Sequence, residues 1–359
     1  MTLKDWIRFP FDFRHAQALL SSERSGAIGL NERPIVLDLA TTDFCFDCGR
    51  HLAALAQQSI AIGSPFLLRC PSSVLAVIAR KQHGREMLAL SNAAYLTPTE
   101  PLPANCLRLT DHDSGDATAI WLRVGCEPEP GMPVMPYPMH PATLDHWPPT
   151  NLDSLRGDRQ RDHRVFFAGN QKPKYGQGKL SQQFGIMDRI EVIRAIRDQF
   201  PFADPEFICL KDSRESSITA EDWLPTIATA DFFLCAPGSS QPTCHHLVES
   251  MAVGTVPILE YDDRVTPRLV DGETAITFRG REGLIAAIDR VLRMPKDEIA
   301  NLRTNAAAFF DAHLCQGRFL KGIRDGKFDL PTRSISMPFH NQDFYTSEAG
   351  SSSSQQQAA

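Results

Sequence analysis

The densest chemistry in this sequence lies in Pro237-Gly238-Ser239-Ser240-Gln241-Pro242-Thr243-Cys244-His245-His246-Leu247-Val248-Glu249. An apolar run at 231–235 feeds a bend of small residues, and a helix is expected over about 243–253. A helix start carries free backbone N–H groups and the positive end of the peptide dipoles, which suits a diphosphate. Gly238, Ser239 and Ser240 would let the backbone come close to phosphate and donate to it, with Thr243 at the helix entry. About two turns further on, Glu249 is placed to accept both hydroxyls of a ribose. A second strand, 165–168, ends in Gly169-Asn170 and opens a loop carrying Lys172 and Lys174, so Gly169, Asn170 and Lys174 join the candidate anion contacts. The competing explanations are a polar turn for Gly238 to Ser240, a solvated helix carboxylate for Glu249 and a solvated loop for the lysines. His245 and His246 are adjacent, so on a helix they point about 100° apart and do not share a metal ion. No metal and no cofactor is expected.

A second candidate is Asp111-His112-Asp113-Ser114-Gly115-Asp116, which follows an apolar strand at 106–110. Carboxylates crowded beside an imidazole can supply a general base, and Asp113 or His112 is the expected catalytic group. The plainer alternative is a hydrophilic turn. Cys45-Phe46-Asp47-Cys48 has the spacing of a redox pair between a strand and a helix, but not the aromatic-Cys-Gly-Pro-Cys form of one. Cys45, Cys48 and His51 lack a second Cys/His pair at zinc-site spacing.

These residues need elements to hold them, and the pattern supplies alternating strands and helices. Strands are expected at 34–39, 65–70, 106–110 and 119–124, with helices at 49–58 and 74–80. Eight prolines fall within 127–149, a density that predicts an extended connection and a domain boundary. Beyond it come strands at 165–168, 207–210, 231–235 and 255–260. Ile190, Ile193 and Ile196 mark one helix, and Leu284, Ile288 and Val291 another that stops at Pro295. The expectation is an α/β protein with an N-terminal domain over 1–150 and a Rossmann-like domain over 151–340. A low-complexity tail at 341–359 is expected to be disordered.

The 359 residues are too many for one ordinary core. A net charge of −6 argues against a nucleic-acid partner, which needs cations to meet phosphates. No apolar run of bilayer length occurs, so no transmembrane segment is expected, and a peripheral membrane association is compatible with that. Nine scattered cysteines, several inside apolar runs, read as reduced and buried, which favours a cytoplasmic setting.

Taken together, Pro237-Gly238, Pro242-Thr243, Glu249, Gly254-Thr255-Val256-Pro257-Ile258 and Asp262-Asp263 resemble the exostosin-like glycosyltransferases. Upstream, Arg164-Val165-Phe166-Phe167-Ala168-Gly169 is similar to the family's Arg-x-x-Phe-Phe-x-Gly strand. The likeness spans 111–269 and is strongest over 232–258. It implies a GT-B fold, two Rossmann-like domains facing each other across a cleft. It also implies a nucleotide-diphosphate sugar as donor, a glycan or glycoconjugate hydroxyl as acceptor, and no required metal. The setting it suggests is polysaccharide biosynthesis in a bacterial-type cytoplasmic enzyme. Where the family carries an arginine three residues before the acidic helix residue, this chain has His246, which would have to be protonated to serve as the cation near the diphosphate. Retaining relatives of this fold carry a second glutamate eight residues ahead of the first; Gln241 stands there, so inversion is expected. Two rivals share the scaffold, a nucleotide-sugar epimerase and a non-catalytic nucleotide-sugar binder.

Overall fold

The computed structural model describes residues 3–21, 33–90, 93–124, 129, 131–157, 160–239, 241–330 and 332–339. The expected disordered tail and Ser240 lie outside them. Among the described residues eleven strands form: β1 (Ile35–Asp38), β2 (Phe66–Arg69), β3 (Ala93–Leu96), β4 (Leu107–Thr110), β5 (Ile120–Arg123), β6 (His163–Gly169), β7 (Ile208–Asp212), β8 (Ala230–Leu234), β9 (Val256–Leu259), β10 (Ile276–Thr277) and β11 (Ser334–Ser336).

Two compact units result, one of residues 1–133 and 316–337, the other of 134–315 and 338–359. The division falls inside the proline-rich stretch, at Pro133/Val134, and the chain returns to the first unit near its end. Contiguous domains over 1–150 and 151–340 do not include that return. Nor are the prolines wholly irregular. Pro141 opens a short helix, Pro141–His146, at the first-turn position where a missing N–H costs nothing.

The first unit is a six-stranded sheet in the order β11-β5-β4-β1-β2-β3, and every pairing is parallel. That is the doubly wound Rossmann order, whose reversal point lies between β1 and β4. All four residues of β1 are buried, as a central parallel strand covered on both faces requires. The sixth strand is the returning segment β11, paired along β5 from Ser334↔Trp121 to Ser336↔Arg123.

The second unit is a five-stranded parallel sheet, β10-β9-β8-β6-β7, with its reversal between β6 and β8. Alternate side chains of β6 feed two separate cores. Phe166 packs with Phe233, Leu247 and Met251 on one face. Val165 and Phe167 pack with Ile193, Ile196, Leu284 and Ile288 on the other. Helices Arg189–Gln199 and Gly280–Arg293 cover that second face, and His245–Ala252 belongs to the first. The apolar runs read from the sequence are therefore strands buried on both sides, inside a three-layer α/β unit.

Candidate functional site

In the second unit the loops after β6 and β8 leave the sheet in opposite directions, and the crevice between them is where open α/β sheets take ligands. A pocket of about 380 Å³ opens at this end of the sheet. Gly169, Asn170, Arg189, Trp223, His245 and His246 are among its walls. Arg189 is the first residue of the helix Arg189–Gln199 and only 4% exposed. Its Nε donates to the carbonyl of Pro237 (2.9 Å), in the loop after β8, and its Nη1 to the carbonyl of Asn170 (3.1 Å), in the loop after β6. One guanidinium thus ties the two lips of the crevice together. Its plane lies over the Tyr175 ring, 4.1 Å from the centroid. Among the described residues no carboxylate stands within ion-pair distance of it. Neighbouring Asp188 caps the same helix and accepts from the backbone N–H groups of Gly178 and Leu180 instead. A buried cation without a counter-charge is costly, and an anionic ligand removes that cost.

His246 forms the opposite wall, 5% exposed and packed among Phe167, Phe233 and Trp223. Burial drives its imidazole far below the ordinary histidine range, and the nearby charges of His245, Arg189 and His140 push the same way. The expectation that His246 supplies a cation is therefore corrected: the ring is neutral, and the fixed cation is Arg189. His246 Nδ1 is buried with no hydrogen-bond partner. Gly169 permits this arrangement. A Cβ there would sit 2.8 Å from Phe167 Cζ and 3.3 Å from His246 Cε1.

Glu249 requires a larger correction. It is fully buried, and both oxygens are already committed. Oε1 accepts from the His140 backbone N–H (3.0 Å) and Oε2 from Trp223 Nε1 (2.7 Å). Burial raises its pKa, against the pull of those donors. The carboxylate does not offer itself to a ribose; it fixes His140 and Trp223, two walls of the pocket, from beneath.

The small-residue bend is also self-contained. Gly238 N donates to Gln241 O (3.0 Å), and a Cβ at Gly238 would lie 2.8 Å from that same oxygen. Thr243 Oγ1 donates to the carbonyl of Pro338 (2.9 Å). Neither these two residues nor half-buried Ser239 lines the pocket. Lys174 is exposed, with its ammonium 5.1 Å from the Tyr175 centroid, and it too stands outside the lining. Of the residues read from sequence, the structure gathers Gly169, Asn170 and His246. The one that sequence reasoning missed is Arg189.

The first unit has its own crevice at the reversal between β1 and β4. Asp111 follows β4, and its buried carboxylate accepts from the N–H groups of Ala40 (2.7 Å) and Thr41 (2.8 Å) beyond β1. It also accepts from Thr41 Oγ1 (2.6 Å) and contacts His112 Nδ1 at 2.9 Å. His112 is partly exposed, so a fixed carboxylate orients an accessible imidazole whose Nε2 stays available. Asp113 is exposed and closes its own turn by accepting from Gly115 N (3.0 Å). Of the two proposed bases, His112 has the supporting geometry. Cys45, by contrast, is buried and its thiol is pushed up to about 12, the opposite of a reactive thiolate.

No family model matches the sequence, and no curated protein does. Among solved structures, the chain is similar to a glycosyltransferase from Rickettsia africae at 10% identity and a TM-score of 0.39, covering 82% of this chain and 99% of that one. It is similar to Anabaena HepE, solved with UDP and glucose, at 10% identity and a TM-score of 0.38, over 82% and 100%. It is also similar to sucrose-phosphate synthase from Thermosynechococcus elongatus at 11% identity and a TM-score of 0.38, over 82% and 98%. What the molecule's own geometry defines is an α/β protein of two Rossmann-type units, each with a polar constellation at its strand-order reversal.

Proposed function

We propose that this chain is a GT-B glycosyltransferase, of exostosin-like kind, moving a sugar from a nucleotide-diphosphate sugar to a hydroxyl of a glycan or glycoconjugate. The observation that carries the reading is Arg189, a buried guanidinium without a carboxylate partner, spanning the crevice of the second unit beside the unpartnered Nδ1 of His246. Arg189 meets the charge of the diphosphate, which grows as the bond to the sugar breaks. Charge supplied in this way makes a metal ion unnecessary for the departure. His246 Nδ1 adds one hydrogen bond, and Trp223 and Tyr175 give flat faces to the nucleoside.

In the first unit His112 takes the proton of the acceptor hydroxyl at Nε2 while Asp111 holds Nδ1. The acceptor oxygen forms its bond to the anomeric carbon, and the nucleoside diphosphate leaves with the electron pair of the broken bond. With Gln241 in place of a second glutamate, a single displacement with inversion is the reading. No helix among the described residues is long and apolar enough to cross a membrane, which agrees with a donor drawn from solution.

The test is calorimetry of UDP, GDP and ADP, and of their hexose conjugates, on wild type and Arg189→Gln. At least one should bind wild type, and the variant should bind it about 10–100-fold more weakly, the range for losing one charge-assisted contact. If none binds, the reading fails. Binding without sugar transfer to any oligosaccharide would leave the epimerase or the non-catalytic binder.

A further inference from the structure

The opposite end of the second unit's sheet holds a larger cavity, of about 820 Å³, at the beginnings of β6 and β8. Seven-residue β6 separates it from the Arg189 pocket by roughly 20 Å at a strand's rise per residue. Four cationic side chains line it, Arg161, Arg164, Lys296 and Arg303, against three carboxylates, Asp162, Glu206 and Asp231. Arg164 is spent on Asp231, with Nη1 3.3 Å from Oδ2. Arg303 donates from Nε to the carbonyl of Gly254 (3.2 Å). Arg164 Nη1 is likewise buried without a hydrogen bond but has the Asp231 carboxylate beside it, whereas the Nε, Nη1 and Nη2 of Arg161 are all buried and none has a hydrogen-bond partner. A guanidinium fork removed from water and left wholly unsatisfied is a strong demand for an acceptor with several oxygens.

We infer that this cavity is a second anion site, taking a phosphomonoester whose phosphate lies in the Arg161 fork. Phosphate oxygens match the planar fork bidentately, and Lys296, another cation of the lining, supplies a point charge for the remaining oxygen. The volume far exceeds that of inorganic phosphate, so the ester carries an organic group. Half-exposed Phe207 and Pro205 offer that group an apolar wall. The site is independent of the transferase reading, because it shares no residue with the Arg189 pocket.

The probes are inorganic phosphate, a hexose 6-phosphate, and phosphatidylcholine vesicles with and without phosphatidic acid. They are applied to wild type, Arg161→Met and Lys296→Gln. Wild type should be stabilised saturably by the hexose phosphate and less by inorganic phosphate. Both variants should bind it at least tenfold more weakly while binding nucleoside diphosphates as wild type does. Phosphate-free Arg161→Met should melt no lower than wild type, because an unsatisfied buried fork has been removed. Sedimentation with phosphatidic acid vesicles, lost in Arg161→Met, would assign the phosphate to a lipid head group; saturable binding of the soluble ester alone would assign it to a metabolite. Unchanged phosphate binding in Arg161→Met would overturn the site. So would a phosphate-free Arg161→Met that melts well below wild type, since the fork would then be held by the protein itself.

Discussion

The two crevices sit at equivalent places in their sheets and are electrostatically opposite. In the first unit the two carboxylates at the reversal are answered within the unit. Asp38, at the end of β1, accepts from Arg69 Nη1 (2.7 Å) and Arg108 Nη2 (2.6 Å), and Asp111 is bound by backbone amides, a hydroxyl and His112. In the second unit Arg189 has carbonyls but no carboxylate, and His246 Nδ1 has nothing. A finished network orients a group, whereas an unfinished one waits for a ligand to complete it. Under the proposed function, this contrast gives proton transfer to the first unit and anion binding to the second.

The sharpest way to break the assignment is His112→Ala. Transfer should fall by about 10²–10⁴ in kcat, the usual contribution of a positioned base, while nucleotide affinity stays at the wild-type value. A parallel loss of nucleotide binding in calorimetry would show that the two crevices do not divide the work. Asp111→Asn should cost less in kcat and should also lower stability, because the amide keeps one acceptor oxygen and turns an NH2 donor toward the other of the Ala40 and Thr41 N–H groups.

Glu249→Ala attacks the other side of the comparison. Two buried donors, His140 N–H and Trp223 Nε1, would be left unpaired, and a cavity would open beside them. The expected loss is about 3–5 kcal/mol of stability in chemical denaturation, from two unsatisfied donors and lost packing. If nucleotide binding vanished while stability held, Glu249 would be a ligand contact after all. Arg189→Gln comes next, with its effect of about 1.4–2.7 kcal/mol confined to nucleotide affinity. Arg189→Lys should not rescue it, because an ammonium lacks the fork that reaches both carbonyls.

These contrasts also show where sequence reading succeeds. Val165-Phe166-Phe167-Ala168 and Phe232-Phe233-Leu234 are legible as strands because burial on both faces demands an unbroken apolar run. The contact of His112 with Asp111 is legible because the two residues are adjacent. Arg189 is not: at a helix start an arginine looks solvated, and its burial depends on Tyr175, Asn170 and Pro237, residues spread along the sequence. Glu249 deceives for the same reason, its partner Trp223 lying on another helix, Ala220–Ile227. β11 is a Ser-Ile-Ser segment with no strand signal of its own, and pairing with the edge of β5 makes it a strand.

The smallest expected effect is on pH dependence, and it compares the units directly. Each buries a neutral histidine: His51 in the first, lowered by burial to about 3, and His246 in the second, lowered well below its ordinary value. Below the ordinary histidine pKa of about 6.5 the unfolded chain binds protons that the folded chain refuses, so stability is full above that value and falls as pH drops. Each histidine contributes a slope of up to about 1.4 kcal/mol per pH unit, which for His51 continues down to about 3. Glu249 has the opposite sign. Its raised pKa means the folded chain holds a proton that the unfolded chain gives up, so its contribution falls as pH rises from about 4.3 through the raised value. Denaturation at pH 7 and pH 5 should therefore show a weaker acid loss in His51→Phe than in wild type, with nucleotide binding unaltered. His246→Phe should weaken the acid loss to a similar extent and also reduce nucleotide binding, because only the second unit's histidine faces the incomplete crevice. Identical behaviour of the two variants toward nucleotide would remove the distinction between the crevices.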